Sequence, residues 1–134
     1  MSLDSELAKV QGAVPECVAV GFVDMTTGML LSVKTVDSHP QEVLDLVAAA
    51  TGEIFQGTNV SAIEKLFKKA RGLADDNHHY FQEILIMSDN LIHVFQRCKK
   101  NESLVLVTVC RGSANLGMVL TKARASLPAV EAAA

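Results

Sequence analysis

The residue types best suited to metal or acid–base chemistry cluster once in this sequence, where Asp75-Asp76 stands just before His78-His79. Carboxylates and imidazoles bind zinc, but neighbouring side chains on one loop seldom converge on a single ion, and no second cluster completes a tetrahedral site. We therefore expect a solvated loop without a metal. An enzyme that uses this loop remains the catalytic alternative. His93 stands inside an apolar run, and we expect it to be structural or to lie at an interface.

Nucleophilic chemistry has little support. No serine stands in a G-x-S-x-G setting, and the three cysteines (Cys17, Cys98 and Cys110) are far apart and have no defined base. Each cysteine lies inside an apolar run and none belongs to a C-x-x-C pair, so free buried thiols in a reducing cytoplasm are expected.

The segment from Arg111 to Asn115 carries a glycine and leads into an apolar periodic stretch. A glycine-bearing loop before a helix can bind anions, but this one lacks the spacing of a phosphate loop. We expect a helix-capping loop, with Ser113 or Asn115 as the cap. The sequence therefore predicts no catalytic residue, no cofactor and no metal, and thus no enzyme.

Composition indicates one folded domain. The 134 residues are 49% hydrophobic, 20% charged and 4% aromatic, with a net charge of −3 and a pI near 5.7. Such a chain is too apolar to be disordered and too acidic for a nucleic-acid surface. No apolar run reaches the roughly 18 residues of a membrane span, and no secretory signal is evident. We expect a single cytoplasmic domain over residues 1–134, with residues 1–3 and 129–134 flexible.

Hydrophobic periodicity predicts an α+β domain with the order helix, two strands, one or two helices, three strands, helix. Five apolar or alternating runs predict the strands, namely Cys17–Val23, Met29–Val36, Phe81–Met87, Leu91–Arg97 and Ser103–Cys110. The alternation of Ser32 and Lys34 predicts a wetter face on the second strand. The final helix is expected to end by Leu127-Pro128. The last strand is the least polar and should lie in the middle of an antiparallel sheet.

The middle helix begins after Pro40, and Gly57 breaks or bends it. The capping-box pattern from Ser61 to Glu64 predicts a second helical piece that reaches about Arg71. Its apolar positions point one way and its charged positions the other. The basic run of Lys65, Lys68, Lys69 and Arg71 indicates the polar side of an amphipathic helix, which could steer an acidic protein partner.

The predicted elements leave apolar sheet uncovered. The first and last helices can pair on one face of the five strands, which leaves the long middle helix for the other face. One helix is too narrow to cover that face, so a partner subunit is the expected cover.

The two ends of the chain resemble a known family. The segment Val14–Asp24, followed by Thr27–Leu31, resembles the opening "VP-x-V-x-G-x-x-hydrophobic-D-x-x-G-x-x-L" hairpin of roadblock / dynein light chain domains. The segment Ala114–Arg124 resembles the "ANLG" entry to the last helix of that family. The stretch from Thr58 to His79 departs from the family pattern, because it carries an extra amphipathic segment.

This resemblance implies a profilin-like fold with strand order 2-1-5-4-3 and a homodimer or heterodimer. The middle helix and the third strand would pair across a two-fold axis. The implied interface residues are Val43, Leu46, Val47, Ala50, Ile54, Ile84, Ile86 and Ser88. Family members are non-enzymatic adaptors, including partners or regulators of small Ras-like GTPases and components of signalling or motility complexes. The alternative is a small-ligand sensor with an apolar pocket lined by Phe22, Met29 or Phe95.

Overall fold

The computed structural model describes residues 2–36, 41–73 and 78–134, with the backbone alone for residues 41–46. The elements of this part of the chain follow the predicted order. They are α1 (Leu3–Ala13), β1 (Cys17–Asp24), β2 (Met29–Thr35), α2 (Gln41–Gln56), α3 (Thr58–Ala70), β3 (Glu83–Met87), β4 (Leu91–Arg97), β5 (Leu104–Arg111) and α4 (Leu116–Ala133).

The strands form one antiparallel sheet in the order β2-β1-β5-β4-β3, which confirms the order implied by the resemblance. The central position of β5 is also confirmed. Val105, Leu106, Val107 and Thr108 are buried, as expected for a strand that is covered on both faces.

Helices cover the two faces unequally. On one face α1 and α4 pack together over a core that includes Leu7, Phe22, Leu106, Val119 and Leu127. On the other face α2 packs alone over a smaller core of Val23, Met25, Ala48, Phe55, Phe95, Val105 and Val107. The predicted pairing of the first and last helices is therefore confirmed, as is the solitary middle helix.

One turn and one helix cap have the geometry that their local chemistry predicts. Asp24 accepts the amide of Thr26 at 2.9 Å, and Gly28 takes a φ of 72° that suits glycine. Asn115 caps α4 by accepting the amide of Met118 at 3.0 Å. The Arg111–Asn115 segment is thus a helix-capping loop.

The predicted end of the last helix was wrong. The helix α4 passes through Pro128 and continues to Ala133. A proline in a helix removes one backbone donor, but later contacts hold the final turn. Val130 is fully buried, and the Glu131 carboxylate accepts the amides of Lys99, Lys100 and Asn101 at 2.7–3.1 Å. Flexibility of residues 1–3 and 129–134 stays a prediction.

Two other predictions fail where tertiary contacts take over polar groups. Lys34 on the edge strand β2 is exposed as predicted, but Ser32 is buried, because its hydroxyl donates to the carboxylate of Asp4 in α1. The third strand begins at Glu83 rather than Phe81. The Phe81 amide donates to Glu64 at 2.9 Å and its carbonyl accepts from Arg97 at 3.0 Å, so neither group is left for a strand ladder.

Candidate protein–protein interface

The edge strand β3 supplies one part of a candidate interface. It pairs with β4 on one side, and its other side ends the sheet. Ile84 lies opposite Phe95 and Ile86 opposite His93, so both isoleucines share the face that α2 covers. Ile86 is 39% exposed. Ser88 is the first residue after β3, and its hydroxyl lies 3.2 Å from Nε2 of His93. An exposed apolar edge of this kind is a template for a further strand.

The flank of α2 supplies the second part. Ala48, Thr51 and Phe55 are fully buried and face the sheet. Val47 and Ala50 are exposed on an adjoining side of the same helix, and Ile54 is half-buried. Val43 and Leu46 also belong to α2, in the portion where the structure describes the backbone alone. The membership of all these residues in an interface stays a prediction.

Two rows of side chains join β3 to the rest of the sheet on the α2 face. The strand registers align Ile84, Phe95, Val107, Gly21 and Val33 in the first row. They align Ile86, His93, Val109, Ala19 and Thr35 in the second row. The edge strand and the sheet centre therefore form one continuous and largely apolar surface.

Between these rows and α2 lies an open groove of about 860 Å³. Aliphatic side chains line most of it, and its residues include Val33, Val36, Val47, Val107 and Val109. Gly21 lies at its floor, where an added Cβ would stand 3.3 Å from Leu30. The sequence patterns did not predict this groove. A glycine inside an otherwise apolar strand is the signal that could have pointed to it.

Few polar groups border the groove. Asp89, His93 and Arg111 contribute to its lining. Partial burial lowers the pKa of His93 below its ordinary value of 6.5, so the neutral ring is favoured there. Phe95 lines the groove, as the ligand-sensor alternative expected. Phe22 is fully buried in the opposite core, and Met29 is 60% exposed and absent from the lining. Of the three residues named for that alternative, Phe95 therefore lines the groove and the other two do not.

The helix α3 buries charged side chains and exposes apolar ones, the reverse of the usual arrangement. Glu64 and Lys68 were predicted to lie on the solvated side, yet they are only 4% and 7% exposed. Ile63, Leu66 and Phe67 are instead 43%, 65% and 46% exposed. We call these three residues the α3 stripe. Ser61 lies inside the helix, and Gly57 is the N-cap without a side-chain hydrogen bond, so the capping box was wrong as well.

Polar contacts with the segment 78–81 explain why the charged side chains of α3 face inward. Glu64 accepts the amide of Phe81 and lies 3.5 Å from Nδ1 of His79, while Lys68 donates to the carbonyl of His78. These bonds hold the segment that precedes β3 against α3. A buried carboxylate and ammonium are retained only where such partners exist, and here the backbone of 78–81 supplies them.

Glu102 completes this attachment from the β4–β5 turn. Its carboxylate accepts the amide of His79 at 3.0 Å and lies 3.2 Å from Nδ1 of His78. Partial burial raises the pKa of Glu102, but the His79 amide and the two imidazoles outweigh that effect and keep the pKa below its ordinary value.

The histidines of the predicted solvated loop therefore contact carboxylates from α3 and the β4–β5 turn. His79 is half-buried, so the loop is not fully solvated at this point. Asp75 and Asp76 lie outside the described residues. No group of three possible metal ligands occurs in the described part of the chain. Within the same part, no helix is both long and apolar enough to cross a membrane.

No family model matches the chain, and no curated protein matches it. Solved structures do. An MglB described as having a tetrameric arrangement aligns over 98% of this chain and 87% of its own, at 19% identity and a TM-score of 0.76. The gliding protein MglB from Thermus thermophilus aligns over 100% and 92%, at 19% identity and a TM-score of 0.70.

A Roadblock/LC7 domain from Streptomyces avermitilis aligns over 98% of this chain and 97% of its own, at 13% identity and a TM-score of 0.71. At such identities the similarity concerns the fold and not the activity. The agreement covers nearly the whole chain, including the strand order and the placement of the helices. The chain therefore has the roadblock-type fold.

Proposed function

We propose that this protein is a non-enzymatic adaptor that forms a homodimer through α2 and β3 and binds a small Ras-like GTPase or a related signalling or motility protein. The observation that carries the dimer is the continuous apolar surface from the groove to Ile84 and Ile86 on the open sheet edge. A second copy can cover both parts at once, because a two-fold axis brings the same surface to itself. The expected interface buries about 1,200–2,000 Å² in total.

The α3 stripe supports a separate surface for the protein partner. An adaptor needs a contact that remains available after it has dimerised. Among the charged side chains of α3, Lys65 and Lys69 are exposed. Its one acidic residue, Glu64, is buried, so the exposed charge on this helix is positive. Arg71 follows at the C-cap and is exposed too. A partner with apolar side chains bordered by carboxylates would complement this surface.

The comparisons support the same proposal more broadly. MglB and Roadblock/LC7 domains share this fold, and one of them has a tetrameric arrangement. The resemblance of the two chain ends to roadblock domains implies adaptors rather than enzymes. We place the adaptor in the cytoplasm, where cellular dithiols keep cysteines such as its three free ones reduced in the resting state.

Ala50→Glu tests the dimer. We expect the variant to be monomeric with its fold partly retained, because a carboxylate at the two-fold seam would lose its hydration without gaining a partner. Sedimentation velocity at micromolar concentration, together with circular dichroism, provides the measurement. Ala49→Glu is the matched control, since Ala49 is exposed next to Ala50 but does not belong to the predicted seam.

A monomeric wild type would contradict the dimer, and an Ala50→Glu variant that still dimerises would show that the interface lies elsewhere. The partner is tested with purified small Ras-like GTPases of the native host, titrated into the wild type and into Leu66→Glu. Binding to the wild type alone supports the α3 stripe as the contact.

A small-ligand sensor remains the second candidate function, and the 860 Å³ groove favours it. Native mass spectrometry of the purified protein separates the two functions. A retained small molecule of constant mass, lost on Val107→Phe, would favour the sensor.

A further inference from the structure

Two of the three cysteines are paired between the neighbouring strands β1 and β5, at the start of β1 and near the end of β5. Cys17 is the first residue of β1, and Cys110 is its partner in the register with β5. They come from opposite ends of the sequence, and the fold alone brings them together. Neither has a role in the proposed interface, because both side chains belong to the core under α1 and α4.

The hydrogen bonds around the pair place the two cysteines at close range. The Arg111 amide donates to the Glu16 carbonyl at 3.0 Å, so the ladder bond joins the residues that flank the pair. The register shifts between Cys17 and Ala19, and Glu16 has a φ of 51°, so the ladder is irregular beside the pair. Paired residues of antiparallel strands have Cα atoms about 4.5–5.5 Å apart, within the roughly 4.4–6.8 Å that disulfides span, so the pairing of Cys17 with Cys110 is compatible with a bond.

The Cys17 thiol donates to the carbonyl of Ala19 at 3.4 Å. Interaction with the Cys110 side chain lowers the pKa of Cys17 below its ordinary value although burial opposes this shift. The same interaction and burial raise the pKa of Cys110. Cys17 is 9% exposed and Cys110 is fully buried. Cys17 therefore has both the readier thiolate and the better access to a small oxidant.

The third cysteine provides an internal reference. Cys98 follows β4, and its amide donates to the carbonyl of Leu104 at the opposite end of β5 from Cys110. It is fully buried, and burial together with Glu131 raises its pKa to about 12. Cys98 has no cysteine opposite it in the described strand registers.

We propose that Cys17 and Cys110 form a reversible intramolecular disulfide when the protein reacts with a hydroperoxide. The Cys17 thiolate attacks one peroxide oxygen, the O–O bond breaks, and the leaving oxygen departs as hydroxide or alkoxide and takes up a proton. The Cys110 sulfur then attacks the Cys17 sulfenic acid, forms the S–S bond and releases water. The two thiols lose two electrons and two protons, and one peroxide is reduced. A dithiol reductant reverses the change by exchange.

Peptide mapping tests the proposal directly. The purified protein is treated with hydrogen peroxide, denatured with N-ethylmaleimide and digested with trypsin without a reductant. Each cysteine lies in its own tryptic peptide, residues 10–34, 98–99 and 101–111. We expect 10–34 linked to 101–111, with Cys98 alkylated, and both peptides free again after dithiothreitol. Cys98→Ala should keep the link, and Cys110→Ala should abolish it.

Unfolding midpoints provide a second measurement. Oxidised wild type should have a higher midpoint than reduced wild type, because the link closes a long loop in the unfolded chain, and Cys110→Ala should show no such difference. Alkylation of all three cysteines after peroxide would overturn the proposal. A link between two chains, a link to Cys98, or over-oxidised Cys17 without a link would overturn it equally.

Discussion

Two buried threonines differ in whether their hydroxyl groups have a hydrogen-bond partner. Thr51 in α2 and Thr108 in β5 are both fully buried. The Thr51 hydroxyl donates to the carbonyl of Val47 at 2.9 Å. The Thr108 hydroxyl has no hydrogen-bond partner among the described residues. A buried hydroxyl without a partner costs its full desolvation energy, so the two sites should respond oppositely to its removal.

Valine replaces threonine with a closely similar shape and removes the hydroxyl. We expect Thr108→Val to raise the free energy of unfolding by about 1 kcal/mol and Thr51→Val to lower it by about 1 kcal/mol. Urea unfolding at one fixed protein concentration measures both changes. Two shifts of the same sign would contradict this assignment of the hydrogen bonds.

At the scale of elements, α3 is the helix whose orientation differs from the one that its apolar periodicity predicts. A helix normally turns its apolar stripe to the core. Here Glu64 and Lys68 occupy the inner side because the segment 78–81 offers them backbone partners, and Leu66 remains outside.

Alanine substitutions on α3 test this orientation. We expect Glu64→Ala to lower the free energy of unfolding by about 1–3 kcal/mol, because the partly buried amide of Phe81 loses its acceptor. We expect Leu66→Ala to change it by less than about 0.5 kcal/mol, as for other exposed positions. Chemical denaturation of both variants provides the measurement. A larger loss for Leu66→Ala would mean that the helix faces the other way.

The contrast between α3 and the strands shows what could be predicted from the sequence. Strand periodicity and the Asn115 cap depend on neighbours in sequence, and the structure confirms the five strands and the cap. The Asp24 turn depends on near neighbours in the same way. The burial of Ser32 depends on Asp4, and that of Glu64 depends on Phe81. These partners are distant in sequence, so no local pattern reports them. The same holds for the groove, which exists only after the strands of the sheet align Val33 with Phe95.

For the whole molecule, the groove that a second copy would cover in the proposed dimer contains a titratable group. His93 stands in the second row between Ile86 and Val109, and burial already lowers its pKa from 6.5. Ser88 faces its ring, and Arg111 and Asp89 line the groove beside it. A depressed histidine pKa means that the unfolded chain takes up the proton first as the pH falls. The stability from neutral His93 is therefore present above pH 6.5 and is lost as the pH falls below that value.

Dimerisation would bury His93 further, so the stability of the dimer should depend more strongly on pH than that of the monomer. We expect the dissociation constant of the dimer to rise several-fold between about pH 7.5 and about pH 5.5. Sedimentation equilibrium at the two pH values measures the change. His93→Gln should remove most of the dependence, whereas His78→Gln should keep it, because His78 contacts Glu102 away from the predicted seam. A His93→Gln dimer that still weakens in acid would contradict the role of this ring.

The position of β1 between β2 and β5 also has a consequence for synthesis. The β1–β2 hairpin can form early, but the partner of Cys17 is Cys110 in β5, which follows much later along the chain. On the ribosome, the edge of β1 that pairs with β5 must therefore remain unpaired until β5 has been translated. High contact order of this kind slows folding and leaves an apolar edge open to the wrong partners. The nascent chain should thus depend on chaperones most strongly before β5 emerges.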